Sequence, residues 1–406
     1  MDQENLLALA SEQSAKPGIA LQRLDAIDLL RGIVMVVMAL DHTRGFFSEA
    51  ISFSATDLTK TNAALFLTRW ITHFCAPVFV FLAGTGAFLS TYRGKTQREL
   101  SRFLLTRGLW LIVLEQTVVR CLGWEYNFDY HFMHTNVLWA IGWAMVVLSG
   151  LVFLPLRFIT GFGIVMIAGH NLLDKLRPES LGAFGWLWKV LHIETIIEWR
   201  TGFTFEFKYP LIPWIGVLAV GYGFGTLMLR ERQERRKLLF WLGSALTLLF
   251  VVLRATNLYG DPSPWTPQAS KLFTVFSFIN CTKYPPSLLY LLMTLGPAFI
   301  VLALLDRDWG KVVKPLLVFG RVPLFYYVLH LFLIHLLAVI FSVVRYGHLD
   351  KSLFENPPFP STPKDFGYGL PVVYGVTMLV VMLLYPACRW FAALKKQRKD
   401  AWLSYL

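Results

Sequence analysis

Apolar runs of roughly twenty residues recur along this chain, separated by short polar segments. They fall at 27–47, 64–91, 103–122, 136–156, 158–174, 210–229, 237–256, 286–305, 322–344 and 370–393. A helix rises ~1.5 Å per residue and a bilayer core is ~30 Å thick, so each run suits one crossing, the fifth being short. The runs are continuous rather than alternating, which argues against a β-barrel. The pattern predicts an all-α fold: a polytopic transmembrane helical bundle of about ten spans, read as one domain over 23–394 between a polar tail at 1–22 and a basic tail at 395–406.

Charge placement orients these runs. With the N-terminus in the cytoplasm, every second run exits into it, and those exits carry Arg93, Lys95, Arg98 and Arg102; Arg157; Arg230, Arg232, Arg235, Arg236 and Lys237; Arg307, Lys311 and Lys314; and Lys395, Lys396, Arg398 and Lys399. Basic residues concentrate on the cytoplasmic side of membrane proteins. The expectation is a multi-pass membrane protein with both termini cytoplasmic, and its short loops add the expectation of a bacterial inner membrane. The long outer loops, about 175–209, 257–285 and 345–369, are rich in proline and aromatics and suit a cap over a site.

The composition agrees: 55% hydrophobic, 16% charged, mean hydropathy +0.53. The net charge of +12 lies mostly in inter-helix loops, so it reads as topology rather than as a nucleic-acid surface. Residues 1–22 lack the basic, apolar and small-residue order of a signal peptide and read as a mobile tail. The four cysteines have no metal-site spacing, and no metal is expected. Cys121 and Cys281 both fall near the outer surface, where a disulfide could form. Asn280-Cys281-Thr282 is a glycosylation sequon, meaningful only in a secretory-pathway host.

Ionisable residues inside the runs carry the functional signal, because charge at membrane depth is costly unless it lines a site. Asp28, Arg31, Met35, Met38 and His42 repeat at helical spacing and form one stripe on the first helix. His42 then lies about 16 Å along the axis from Arg31. Asp41, His42, Arg69, His73, Glu115 and His335 all fall in the outer third, while Asp28 and Arg31 mark the opposite mouth. Other readings stand beside this one. His73 could bond a backbone carbonyl in a packed bundle, and Glu115 with Arg120 could form an interhelical ion pair. At least one of His330 and His335, five residues apart and on different faces, reads as structural, and His131 and His134 suit an interfacial position.

Histidine is the usual general base near neutral pH. A carboxylate can orient its ring. Asp41 adjoins His42 but points about 100° away on a helix, so Glu115 from another helix is an alternative. Arginine at a cytoplasmic mouth suits a phosphate-bearing donor. Together these parts fit acyl transfer through the membrane.

Several segments resemble a known family. Arg23-Leu-Asp-Ala-Ile-Asp-Leu-Leu-Arg-Gly-Ile33, Pro77-Val-Phe-Val-Phe-Leu-Ala-Gly84 with Phe88-Leu-Ser, Pro210-Leu-Ile-Pro-Trp-Ile-Gly216 with Gly221-Tyr-Gly-Phe-Gly225, and Gly320-Arg-Val-Pro-Leu-Phe-Tyr-Tyr-Val-Leu-His330 resemble the heparan-α-glucosaminide N-acetyltransferase catalytic-domain family. The resemblance spans 23 to about 345. The spacing from Arg31-Gly32 to His42 is also similar to that in integral-membrane acyltransferases that O-acylate surface sugars, where a histidine at this position is the proposed base. The resemblance implies acetyl-CoA, or another acyl-CoA, from the cytosol and a sugar or glycan acceptor on the far side. The family's catalytic histidine lies ahead of the position of His73, where this chain has Ala63-Ala64, so the base falls to His42 or His73.

The resulting expectation is an acyl-CoA-dependent membrane acyltransferase. His42 is the leading base, with His73 and Asp41 beside it. Asp28 and Arg31 shape the donor mouth, and Arg69, Glu115 and His335 face the acceptor or its oxyanion. Its partners are the lipid bilayer and the acceptor, with no nucleic acid, and a homo-oligomer is left open. The same stripe would also suit a transporter or lipid-linked precursor flippase without acyl chemistry, or a non-catalytic membrane scaffold.

Overall fold

The computed structural model describes residues 24–355, 366–398 and 400–405. The 1–22 tail and Lys399 lie outside these residues. The long helices are α1 (Asp25–Phe47), α2 (Ala63–Ile71), α3 (Cys75–Tyr92), α4 (Gln97–Leu114), α5 (Val137–Leu151), α6 (Leu156–Gly169), α7 (Gly185–His192), α8 (Leu211–Phe224), α9 (Arg232–Thr256), α10 (Lys271–Ile279), α11 (Leu288–Leu305), α12 (Lys314–Arg321), α13 (Pro323–Tyr346) and α14 (Leu370–Gln397). The protein is an all-α polytopic membrane protein.

Every predicted run is helical. Among the described residues, seven helical stretches are long and apolar enough to cross a membrane, α2 joining α3 in one of them. The other three predicted runs differ for visible reasons. The α1 helix carries Asp25, Asp28, Arg31, Asp41 and Arg44. The α4 helix is interrupted, continuing as a π-helix over Glu115–Trp124, and α5 spans 15 residues. Three short strands fall outside the sequence reading. They are β1 (Phe132–His134), β2 (Thr195–Arg200) and β3 (Phe203–Phe207). The sheet order is β1-β3-β2, with β1 parallel to β3 in register Met133↔Phe205, and β2 antiparallel to it.

Side chains tie the helix ends into two faces. On one, Arg235 near the start of α9 pairs at 2.7 Å with Asp306 after α11, and Arg321 at the end of α12 reaches Asp25 at the start of α1. On the other, Tyr368 N donates to Phe47 O (2.7 Å), Asn280 to Thr56 O (3.1 Å), and Leu288 N to Asn171 (2.9 Å). Arg254, fully buried, pins the 257–285 loop by donating to the carbonyls of Ser263, Ser277, Phe278 and Asn280. All four cysteines are free and buried, so the Cys121–Cys281 disulfide does not form. The two thiols sit in separate packing environments, Cys121 against the Tyr130 hydroxyl at 3.2 Å.

The first helix is central, packed by α3, α11, α12, α13 and α14. Glycine decides how close α12 comes. A Cβ on Gly32 would fall 2.0 Å from the Leu316 carbonyl oxygen, and one on Gly320 would fall 1.7 Å from that of Asp28. The two backbones touch where Arg31 leaves the helix, and small residues at crossings are what permit such contact.

Candidate active site

The α1 stripe faces protein. Asp28 is 4% exposed, Met35 0% and Met38 5%, while Arg31 and His42 at its ends remain partly open. Near one end, Arg31 donates to the carbonyl of Leu82 on α3 at 2.6 Å and lies 3.8 Å from Asp28. Arg107 of α4 lies within its electrostatic reach and donates to the carbonyl of Ser404 in the C-terminal segment. Arg107 was absent from the sequence reading, since its own run shows no stripe linking it to Arg31.

Near the other end, His42 meets His330 of α13. Their rings stack at 4.9 Å with 8° between planes, and His42 Nδ1 lies 2.8 Å from His330 Nε2. The backbone assigns the protons. His330 Nδ1 lies 2.9 Å from the carbonyl of Tyr326 one turn earlier. A carbonyl only accepts, so Nδ1 carries the hydrogen and Nε2 of the neutral ring is bare. His42 Nδ1–H therefore donates to it, and His42 Nε2 keeps its lone pair. Trp124, at the end of the π-helix, packs edge-on against the His42 ring at 5.0 Å, and Tyr327 lies at 6.0 Å. Pi-helical turns are common at functional sites, where the extra residue re-aims a side chain. His330 is wholly buried and His42 is half-buried, so an accessible imidazole is backed by an enclosed one.

Asp41 turns to other partners, as its place on the helix requires. Both its oxygens lie 2.7 Å from Arg69 Nη1, and Arg44 lies at 3.2 Å. These three side chains remain 15–18% exposed. Lys283 and Tyr284, from the loop before α11, act on this group electrostatically.

His73 is buried, within electrostatic reach of Arg69 and Asp41. The helix tightens at Thr72–Phe74, and Pro77 has no N–H for the carbonyl of His73 four residues back. The Tyr290 hydroxyl supplies that bond at 2.7 Å, and its ring lies 5.5 Å from the His73 ring. The Nδ1 of His73 has no hydrogen-bond partner among the described residues. Arg69 and His73, four apart, thus bond different partners, while the hydrogen-bond partner of the His42 ring is His330.

Glu115 and His335 serve packing. The Glu115 carboxylate accepts from Leu138 N (2.9 Å) in the first turn of α5, where the helix dipole favours an anion. Arg120 pairs instead with Glu125 at 2.5 Å, and Glu125 also meets His134 at 3.1 Å. The His335 Nδ1–H donates to the carbonyl of Gly123 (3.0 Å), and its ring stacks on Tyr126 at 3.8 Å, holding the π-helix against α13.

The heparan-alpha-glucosaminide N-acetyltransferase catalytic family model matches residues 23–257. The chain belongs to that family. No curated protein matches it. The match makes this a member of a membrane acetyltransferase family and covers α1 to α9, including Arg31, Asp41, His42, Arg69 and His73. The likeness at Gly320–His330 lies beyond its end, so the partner of His42 comes from outside the matched segment.

Proposed function

We propose that this family member transfers an acyl group, acetyl foremost, from cytosolic acyl-CoA to a hydroxyl or amine of a sugar-type acceptor at the opposite face. The His42–His330 pair carries the reading. It supplies an accessible imidazole with a defined lone pair at membrane depth, together with the group that fixes its tautomer. The acceptor's O–H or N–H gives its proton to His42 Nε2 as the oxygen or nitrogen attacks the thioester carbonyl. The acyl–sulfur bond then breaks, and the imidazolium returns the proton to the departing thiolate. Asp41 balances part of the cationic charge of Arg69 and Arg44, and the role assigned to those guanidiniums is to stabilise an oxyanion or an acidic acceptor. Arg31 and Arg107 suit the donor's phosphates, and the ~16 Å of helix between Arg31 and His42 leaves room for an extended thioester arm.

The test is release of free CoA thiol from acetyl-CoA by purified protein, with and without a panel of hexoses and hexosamines, and mass detection of the acylated product. Acceptor-dependent thiol release that vanishes in His42→Ala supports the reading. Uptake of an acceptor into vesicles without covalent change overturns it in favour of transport.

A further inference from the structure

A second cluster of ligating groups lies apart from His42. It joins the end of α6 to the end of α7. His170 opens a 3₁₀ turn after α6, Asp174 follows that turn, and His192 is the last residue of α7. One ligand atom from each lies within 4.8 Å of the other two, and His192 Nε2 stands 3.0 Å from an Asp174 oxygen. Both rings are at least 97% buried, with centroids 5.5 Å apart. Neither ring nitrogen of His170, nor Nδ1 of His192, has a well-formed hydrogen bond among the described residues. The carbonyl of Pro286 is the backbone group facing His170.

Buried polar nitrogens without partners are costly, and two such histidines beside a carboxylate form a donor set for a borderline cation. We propose that His170, Asp174 and His192 bind one zinc-class divalent ion, with water in the fourth position. Tetrahedral zinc with bonds of ~2.0–2.2 Å places its ligands about 3.3–3.6 Å apart. The 3.0 Å pair would open by roughly 0.3–0.6 Å, and a His170 shift of roughly 1.5 Å would bring in the third ligand. The Pro286 carbonyl is placed to take an N–H from a ligating His170, the usual outer partner of a metal-bound imidazole. The ion would lock the 175–192 segment onto α6. Asn171, inside the same turn, accepts from Leu288 N (2.9 Å) and extends the lock to the start of α11. The absence of cysteine spacing hid this site, because its ligands are histidine and aspartate brought from two segments.

The experiment uses full-length protein in detergent, stripped with chelator and titrated with Zn²⁺ against a chromophoric competitor, with Co²⁺ as a visible probe. The expected result is one ion per chain, a rise in the unfolding midpoint with Zn²⁺, and tetrahedral Co²⁺ absorption. His192→Asn and His170→Asn should each weaken binding by more than about 100-fold. Asp174→Asn keeps an acceptor for His192, so its metal-free midpoint should stay close to wild type while the zinc-dependent rise disappears. Zinc stabilising Asp174→Asn and His192→Asn as much as wild type, or wild type taking up no ion, overturns the proposal.

Discussion

Replacing His330 by alanine tests the pairing of the two histidines most directly. The substitution removes the acceptor of the His42 Nδ1–H bond, 2.8 Å long, without touching the lone pair on Nε2. A buried donor left without a partner costs about 1–3 kcal/mol. If that cost falls on the orientation His42 needs in the transition state, transfer slows by about 5–150-fold, at 1.36 kcal/mol per factor of ten. Removing the base itself by His42→Ala should cost about 10²–10⁴-fold. His330 acts through His42, so the double variant should be no slower than His42→Ala alone. The assay is thiol release from acetyl-CoA at saturating and sub-saturating donor, giving kcat and KM separately. A positioning role lowers kcat and leaves the donor KM in place. His330→Gln, whose amide oxygen can accept the same bond, should recover most of the rate. A double variant whose losses multiply, or His330→Ala at full rate, refutes the pairing.

Other outcomes follow from the packing. Arg235→Ala leaves Asp306, at 6% side-chain exposure, with only Arg232 at 4.0 Å among the described residues, and should cost up to about 3–5 kcal/mol, read as a lower unfolding midpoint in detergent. Gly320→Ala forces a Cβ into the Asp28 carbonyl and should cost about 1–3 kcal/mol, with reduced yield of folded protein. Arg31→Ala should weaken CoA binding, measured by calorimetry, more than it lowers folding yield; unchanged affinity in a well-folded variant removes Arg31 from the donor site. The four native cysteines are buried, so an impermeant thiol reagent applied outside intact cells should label Ala269→Cys and spare Glu234→Cys; the reverse pattern inverts the proposed orientation.

Helical periodicity made much of α1 legible. It grouped Asp28, Arg31 and His42 on one interior stripe and turned Asp41 away from its neighbour. The family was legible in the motifs opening α1 and α3. His330 was visible as a residue, but its partnership was not: 288 positions separate it from His42, and no local pattern encodes a contact between distant helices. The π-helix hid a different set. In it, residues five apart are neighbours, and Glu125 N bonds to Arg120 O at 3.0 Å. The sequence reading set Arg120 against Glu115 as an interhelical pair, while both lie in this one π-helical stretch and the carboxylate that meets Arg120 is Glu125, just past its end.

The glycine crossing of α1 and α12 has a mechanical meaning. Side chains that interdigitate can slip by a rotamer, but carbonyls set against Cα atoms at Gly32 and Gly320 have nothing to flex. Those two helices therefore travel as a single strut. Arg31 and His42 both ride on that strut, so the separation between them is set by the pitch of one helix and not by how neighbouring helices happen to pack.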